Sequence, residues 1–299
     1  MTSLPPNNSA AVPGRSAATD AILLMLAAMA VFSAMDGVSK GLTLRLSPIE
    51  VSWARYLFNL LFLVPVVAGR GGMRLLATRR PAAQLARGAL LFGSGVLFIT
   101  ALRSLPLADA SAVGFVAPLM VTALSIPLLG ERVESGRWLA VLAGFGGVLL
   151  VVRPGGAGFE AASLLPVASA GCWAVALIIT RRLAATESPL VTLLYTGLTG
   201  LALSSLLLPG VWLTPAPADW LLLVAAGGLY ALGQYLLLKA FLTAHASVLA
   251  PFQYSQIVWS TAIGGLCFGT LPDLPTLAGA AVIIASGLYV WRRERRGAA

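Results

Sequence analysis

Ten long apolar runs separated by short polar breaks dominate the chain. They cover residues 21–42, 49–69, 85–103, 108–129, 137–152, 161–180, 189–208, 219–241, 247–268 and 275–291. Most approach the roughly 20 residues that a helix rising 1.5 Å per residue needs to cross about 30 Å of hydrocarbon. The breaks carry turn chemistry: Ser47-Pro48, Arg79-Arg80-Pro81, Arg153-Pro154-Gly155-Gly156, Pro215-Ala216-Pro217 and Leu271-Pro272-Asp273. Residues 1–19 are polar and rich in Pro, Ser and Ala, which predicts a disordered tail. The first apolar run starts only after Asp20 and is too long for the core of a signal peptide, so it predicts a retained helix. The expected fold is an all-α membrane protein with ten transmembrane helices.

Composition agrees with the pattern. Of 299 residues, 58% are hydrophobic and 10% charged, whereas soluble domains carry about 25% charged residues. The net charge of +9 would suggest nucleic acid in a soluble protein. Here the basic residues fall in short breaks and at the C-terminus, where they report topology. With the N-terminus inside, the inner side holds 15 Lys and Arg: Arg15, Arg70, Arg74, Arg79, Arg80, Arg87, Arg132, Arg137, Arg181, Arg182, Lys239, Arg292, Arg293, Arg295 and Arg296. The outer side holds 4, namely Lys40, Arg45, Arg103 and Arg153, and Arg55 falls within a span. That bias places both termini in the cytoplasm of a bacterial inner-membrane protein and requires an even number of spans. Cys172 and Cys267 each lie in an apolar run without metal-type spacing, and one histidine, His245, builds no metal cluster.

The two halves of the chain resemble each other. At an offset of 141, Leu23-Leu24 meets Leu164-Leu165, Phe32 meets Trp173, Lys40 meets Arg181 and Ser47-Pro48 meets Ser188-Pro189. At an offset of 139, Ala101 meets Ala240, Phe115 meets Tyr254 and Gly130 meets Gly269. Five spans per half is an odd number, so the second half inserts upside down. Two inverted five-helix repeats are a common carrier architecture, with the solute site near the midplane between them. The expected organisation is a cytoplasmic tail at 1–19, repeats at 20–153 and 160–291, and a basic cytoplasmic tail at 292–299.

Several segments resemble the EamA-type transporters of the drug/metabolite transporter superfamily, over nearly the whole chain after the tail. They are Ala101-Leu102 through Pro118, Leu128-Leu129-Gly130-Glu131-Arg132, the Gly-rich helix after Trp138, and Ala250-Pro251-Phe252-Gln253-Tyr254 running to Gly269. The family usually shows Gly-Glu in both halves; the second copy here reads Gly269-Thr270, with Asp273 nearby. Trp53-Ala54-Arg55-Tyr56-Leu57-Phe58, following Met35-Asp36, is similar to the branch that includes S-adenosylmethionine and riboflavin uptake carriers. The resemblance implies a secondary transporter that moves a small organic metabolite, such as an amino acid, vitamin or nucleoside-like solute, by alternating access. The expected partners are that solute and the lipid bilayer. No nucleic acid, cofactor or metal is called for, and a homodimer is left open.

Charges inside hydrocarbon are costly and mark functional positions. Asp36 and Arg55 each lie about 9 Å below the outer surface at 1.5 Å per residue, which predicts an ion pair. Lys40 with Glu50 and Arg103 with Asp109 are expected shallower pairs. In the ninth span, Gln253, Tyr254, Gln256 and Trp259 bring amides and aromatic rings into one helix, with 253, 256 and 260 on one face. Gln234 and Tyr235, with Trp53, Tyr56 and Asn59, are expected to complete a wall suited to a planar or zwitterionic solute. A bundle that merely packs through these groups is the alternative. A channel or lipid scramblase is the competing function. A membrane-embedded enzyme lacks its His/Asp/Glu set within the spans, and the phosphate-binding Gly-x-x-x-x-Gly-Lys motif is absent from the sequence. The topology has a direct test. After replacement of Cys172 and Cys267, a cysteine at position 75 should react from the cytoplasmic side and one at 157 from the opposite side. Labelling of both from one side excludes the ten-span arrangement.

Overall fold

The structure, a computed structural model, describes residues 15–69, 77–129, 135–154, 161–183, 186–244 and 246–297. The expected tail over residues 1–14, the Gly130-Glu131-Arg132 motif and His245 lie outside the described residues. The described residues form twelve α-helices and no strand. They are α1 (Arg15–Thr43), α2 (Pro48–Gly69), α3 (Pro81–Ala101), α4 (Leu107–Gly114), α5 (Ala117–Leu129), α6 (Ser135–Val152), α7 (Leu164–Leu183), α8 (Pro189–Leu207), α9 (Pro217–Thr243), α10 (Ala246–Gln253), α11 (Ser255–Phe268) and α12 (Leu274–Gly297). Helix α1 takes in residues 15–19 of the expected tail, and α12 continues to residue 297.

Among the described residues, eight spans are long and apolar enough to cross a membrane, and Trp138–Val152 is a shorter apolar helix. The expected ninth span is divided at Tyr254 into α10 and α11, of 8 and 14 residues. The fourth expected span is divided too, between α4 and α5. There Val116 N donates to the Val113 carbonyl at 3.0 Å, a tightened three-residue turn, and Pro118 supplies no amide hydrogen. The two breaks meet: the rings of Phe115 and Tyr254 lie 5.1 Å apart.

Helix starts follow the sequence. Pro opens α2, α3, α8 and α9, where its missing amide costs no helical hydrogen bond. Ser188 caps α8 by accepting from Val191 N at 3.3 Å. Helix α11 ends at Gly269 in the left-handed region, φ 65°, with Thr270 N donating to the Gly264 carbonyl at 3.0 Å.

Helices of the first half pack mainly on helices of the second. Helix α1 lies on α9 and α3 on α7; α2 lies on α9 and α3 on α8; α2 faces α8, and α6 faces α12. Exchanging α1–α6 for α7–α12 in order leaves these pairings unchanged. Close backbone approach makes the α6–α12 contact possible. A Cβ on Gly147 would lie 2.8 Å from the Gly279 carbonyl oxygen, and one on Gly279 would lie 2.6 Å from the Gly147 carbonyl oxygen. Buried Val148, Val152 and Ile283 fill the space around them. Gly147→Val should therefore overpack this interface by roughly 1–3 kcal/mol, read as a lower Tm of the purified protein. Gly146→Ala, whose Cβ would meet nothing within 4 Å, should leave Tm unchanged or raise it. Equal losses in both variants would contradict the packing.

Candidate functional site

Four elements converge on one group near the middle of the bundle. Asp36 sits seven residues before the end of α1, and Arg55 seven residues after the start of α2. At 1.5 Å per residue both lie about 10 Å below that end of the bundle. Tyr230 is the midpoint of the 27-residue α9. Gln256 follows the break between α10 and α11.

Asp36 and Arg55 are both buried, at 5% and 7% exposure, but the expected direct ion pair is not formed. Asp36 Oδ2 accepts from Gln256 Nε2 at 3.4 Å. Arg55 turns instead to the Sδ of Met35, at 3.9 Å from Nη1. Its guanidinium stands 5.0 Å from the Tyr230 ring centre and 6.0 Å from that of Tyr56. Rings attract a desolvated cation by about 2 kcal/mol, so the aromatic pair replaces the carboxylate as the surroundings of Arg55. Its Nε has no hydrogen-bond partner.

Aromatic rings continue around this charge. Tyr56 lies 6.3 Å from Tyr230 and 6.2 Å from Phe92, and Phe32 lies 6.5 Å from Tyr230. Tyr56 fits because its partner on α8 is Gly200; a Cβ there would come within 2.5 Å of the ring. Gln234 Nε2 donates to Tyr230 Oη at 3.1 Å. A hydroxyl cluster fixes the Asp36 side. Ser33 Oγ donates to the Gln256 carbonyl at 3.2 Å, lies 3.2 Å from Ser260 Oγ, and Ser111 Oγ donates to Ser260 Oγ at 3.0 Å.

The remaining expected site residues are distributed elsewhere. Asn59 is buried at the α8 interface, where a Cβ on Gly197 would lie 3.6 Å from its Nδ2. Gln253 is half-buried at the end of α10. Tyr254 packs on Phe115 and against Gly287 of α12. Trp53 Nε1 donates to Ser205 Oγ at 3.0 Å, and its ring meets the edge of Trp212. Tyr235 is 54% exposed, beneath the Lys239 ammonium, and Trp259 is 41% exposed. Trp53, Tyr235 and Trp259 therefore stand apart from the Arg55–Tyr230 group.

The two shallower pairs are also replaced. Lys40 Nζ donates to the carbonyls of Leu102 and Leu105 at 2.7 and 2.6 Å. Glu50 accepts from Leu213 N at 3.3 Å. Arg103 is exposed beside a cavity of about 540 Å³ lined by Thr100, Ser104 and Leu165, while Asp109 has Arg153, Asp273 and Lys40 as its charged neighbours.

Arg87 is a member that the sequence reading counted as a loop charge. Helix α3 begins at Pro81, so Arg87 lies two turns inside. Its Nε donates to Thr180 Oγ1 at 2.6 Å, and its Nη1 reaches Thr196 Oγ1 and, at 3.4 Å, the Thr192 carbonyl. Thr196 lies one turn before Gly200, against which Tyr56 packs. The available signal was the Thr192, Thr196, Thr199 spacing, which puts three hydroxyls on one face of α8.

The model of the EamA-like transporter family matches residues 19–153 and again 161–292. The chain belongs to the EamA-like transporter family. An S-adenosylmethionine uptake transporter from Rickettsia bellii is 31% identical over 264 residues, covering 88% of this chain and 90% of that protein. A riboflavin transporter from Rhizobium johnstonii is 32% identical over 296 residues and covers 96% of each. A pseudopaline exporter from Pseudomonas aeruginosa is 28% identical over 280 residues, covering 92% of this chain and 96% of that protein. A solved crystal structure at 24% identity aligns with a TM-score of 0.63 over 95% of this chain and 99% of that one, which establishes the shared fold. This EamA-like protein is thus a multi-pass bacterial membrane transporter of small metabolites, not an enzyme.

Within this transporter, Gln256 and Trp259 separate two roles. Gln256→Ala deprives a buried carboxylate of its donor, a loss of about 1–3 kcal/mol. Trp259→Ala removes an exposed ring. Thermal unfolding of the purified variants should place Gln256→Ala clearly below wild type and Trp259→Ala close to it. The reverse order would contradict the Asp36–Gln256 contact.

Proposed function

We propose that this chain is a secondary carrier of the inner membrane that moves its solute by alternating access. Ten spans in two inverted five-helix repeats, residues 20–153 and 160–291, have both termini in the cytoplasm. The observation that carries this reading is the Arg55–Tyr230–Asp36–Gln256 group. It is contributed by both halves, with Arg55 and Asp36 buried and Tyr230 and Gln256 half-buried beside them, where a bundle built only for packing gains nothing from charges. The exchange-invariant pairing of the halves supports the inverted repeat, and the meeting breaks at Phe115 and Tyr254 supply points where helix ends can move.

The solute contacts assigned to this site are Asp36, Arg55, Tyr56, Tyr230, Gln234 and Gln256, with Asn59, Gln253 and Tyr254 around it. Tyr56, Tyr230, Phe32 and Phe92 offer faces for a flat ring. S-adenosylmethionine and riboflavin, named for the relatives, both contain a planar heteroaromatic system and are the first solutes to assay. Purified protein in proteoliposomes should take up at least one of them with saturation and with competition by unlabelled solute. Arg55→Gln should cut that uptake at least tenfold while the protein remains folded. Passage of both solutes in proportion to concentration, without saturation, would instead identify a channel, and lipid flip without solute uptake a scramblase.

A further inference from the structure

We infer that Arg55 and Arg87 form a pair of solute-selecting cations that make the central site specific for a flat solute carrying a single carboxylate. The inference rests on the carrier reading above and deepens it.

The first observation is that neither guanidinium has a carboxylate partner. Among the described residues the ion pairs are Arg45–Asp219 and Arg153–Asp273. Arg55 has a thioether and two rings beside it, and its Nε is unpartnered at 7% residue exposure. Arg87 is held by neutral oxygens alone. Thr180 and Thr196 direct their hydroxyl hydrogens to their own helix, to the carbonyls of Ala176 and Thr192 at 2.7 Å each. Their lone pairs are thereby turned to the guanidinium.

The second observation is placement. Arg55 lies about 10 Å from one end of the bundle and Arg87 about 9 Å from the other, counting 1.5 Å per residue from Pro48 and Pro81. Tyr230, at the middle of α9, stands between them in depth; Arg55 faces its ring and that of Tyr56, and Arg87 is held by Thr196 of α8, one turn from the Gly200 on which Tyr56 packs. The two arginines therefore flank the aromatic pair along the direction of transport.

Charge balance sets the solute class. Two cations in a low-dielectric interior need compensating anions. Asp36 supplies one and is already engaged by Gln256. Lys40, one turn further along α1, donates to two carbonyls and has the Asp109 carboxylate as its charged neighbour, which balances it. With Arg55, Arg87 and Asp36 charged, the site keeps one uncompensated positive charge. A singly charged carboxylate matches it; a neutral solute leaves it, and a phosphate dianion overshoots. Planar guanidinium forks suit a carboxylate geometrically. The tyrosines then take the flat body. S-adenosylmethionine carries a carboxylate but, with its ammonium and sulfonium, is a net cation, and riboflavin carries no carboxylate, so neither relative's solute has the single net negative charge inferred here.

Indole-3-acetate and indole-3-acetamide differ in charge and hardly in shape. Binding of each to the purified full-length chain, followed by calorimetry, should favour the acetate at least tenfold. Arg55→Gln and Arg87→Gln should each reduce that preference to threefold or less, while Arg55→Lys and Arg87→Lys, which keep the charge, should retain most of it. Where a Gln variant does not fold, the Lys variant of that position, compared across ionic strength, should keep a salt-sensitive preference for the acetate. Equal binding of the two probes, no binding of either at 10 mM, or an acetate preference that survives both Gln substitutions overturns the inference. Saturable proteoliposome uptake of S-adenosylmethionine or riboflavin in that case leaves the carrier reading standing, and its absence removes both.

Discussion

Hydrocarbon solvates neither charge nor unpaired polar atoms, and the architecture follows from that constraint. Every cation and carboxylate within the helices has to find its surroundings inside the bundle. Lys40 does so by reaching the carbonyls at the end of α3, Arg87 by collecting threonines from α7 and α8, and Arg55 by standing against tyrosine rings. Each solution joins two or more helices. The polar residues thus specify which helices are neighbours, while glycines such as Gly88, Gly147, Gly200 and Gly279 let those neighbours approach closely.

The same constraint explains what was legible in the sequence. Span positions were legible because apolar length and Pro-bearing breaks are local properties, and Ser47-Pro48, Pro81, Ser188-Pro189 and Pro217 all open helices. Local chemistry interrupts the fourth and ninth runs, at Pro118 and Tyr254, and the fourth still counts among the eight spans. The depth of Asp36 and Arg55 was also readable, because the axial rise of a helix is fixed. Their partners were not. Depth says nothing about azimuth, and the rotation of α2 turns Arg55 toward Tyr230 and Met35 rather than toward the Asp36 carboxylate. Azimuth also separates Tyr235 from Gln234, neighbours in sequence that leave the helix on different sides, while Trp259, one turn beyond Gln256, reaches the exposed surface.

Arg87 illustrates a second limit. Counting Lys and Arg by side works because most basic residues sit in breaks, but the count assigns any basic residue near a span edge to the water. Extending α3 back to Pro81 moves Arg87 two turns into the bundle. Its partners come from residues about 93 and 109 positions away, Thr180 and Thr196. Only the hydroxyl stripe on α8 hinted that something polar lay opposite.

The ends of the bundle obey a different balance from its middle. At the end where α1 finishes, two ion pairs join the halves: Arg45 with Asp219 at 3.2 Å, and Arg153 with Asp273. Both involve a side chain at least 38% exposed, and exposed pairs contribute about 0–1 kcal/mol each. Arg153 closes α6 in the left-handed region, φ 50°, and its hydrogen bond to Asp273, helped by Thr276 N, holds that carboxyl down to about 2. A depressed carboxyl contributes stability above the usual carboxylate range and loses it as pH falls through about 2. The Arg153–Asp273 tie is therefore fully formed through the neutral range. At the opposite end, Glu187 accepts from Arg79 N at 2.9 Å. Weak ties at the ends and committed charges in the middle favour a bundle whose ends part before its centre does. In an alternating carrier this leaves the central group intact while access to it changes sides.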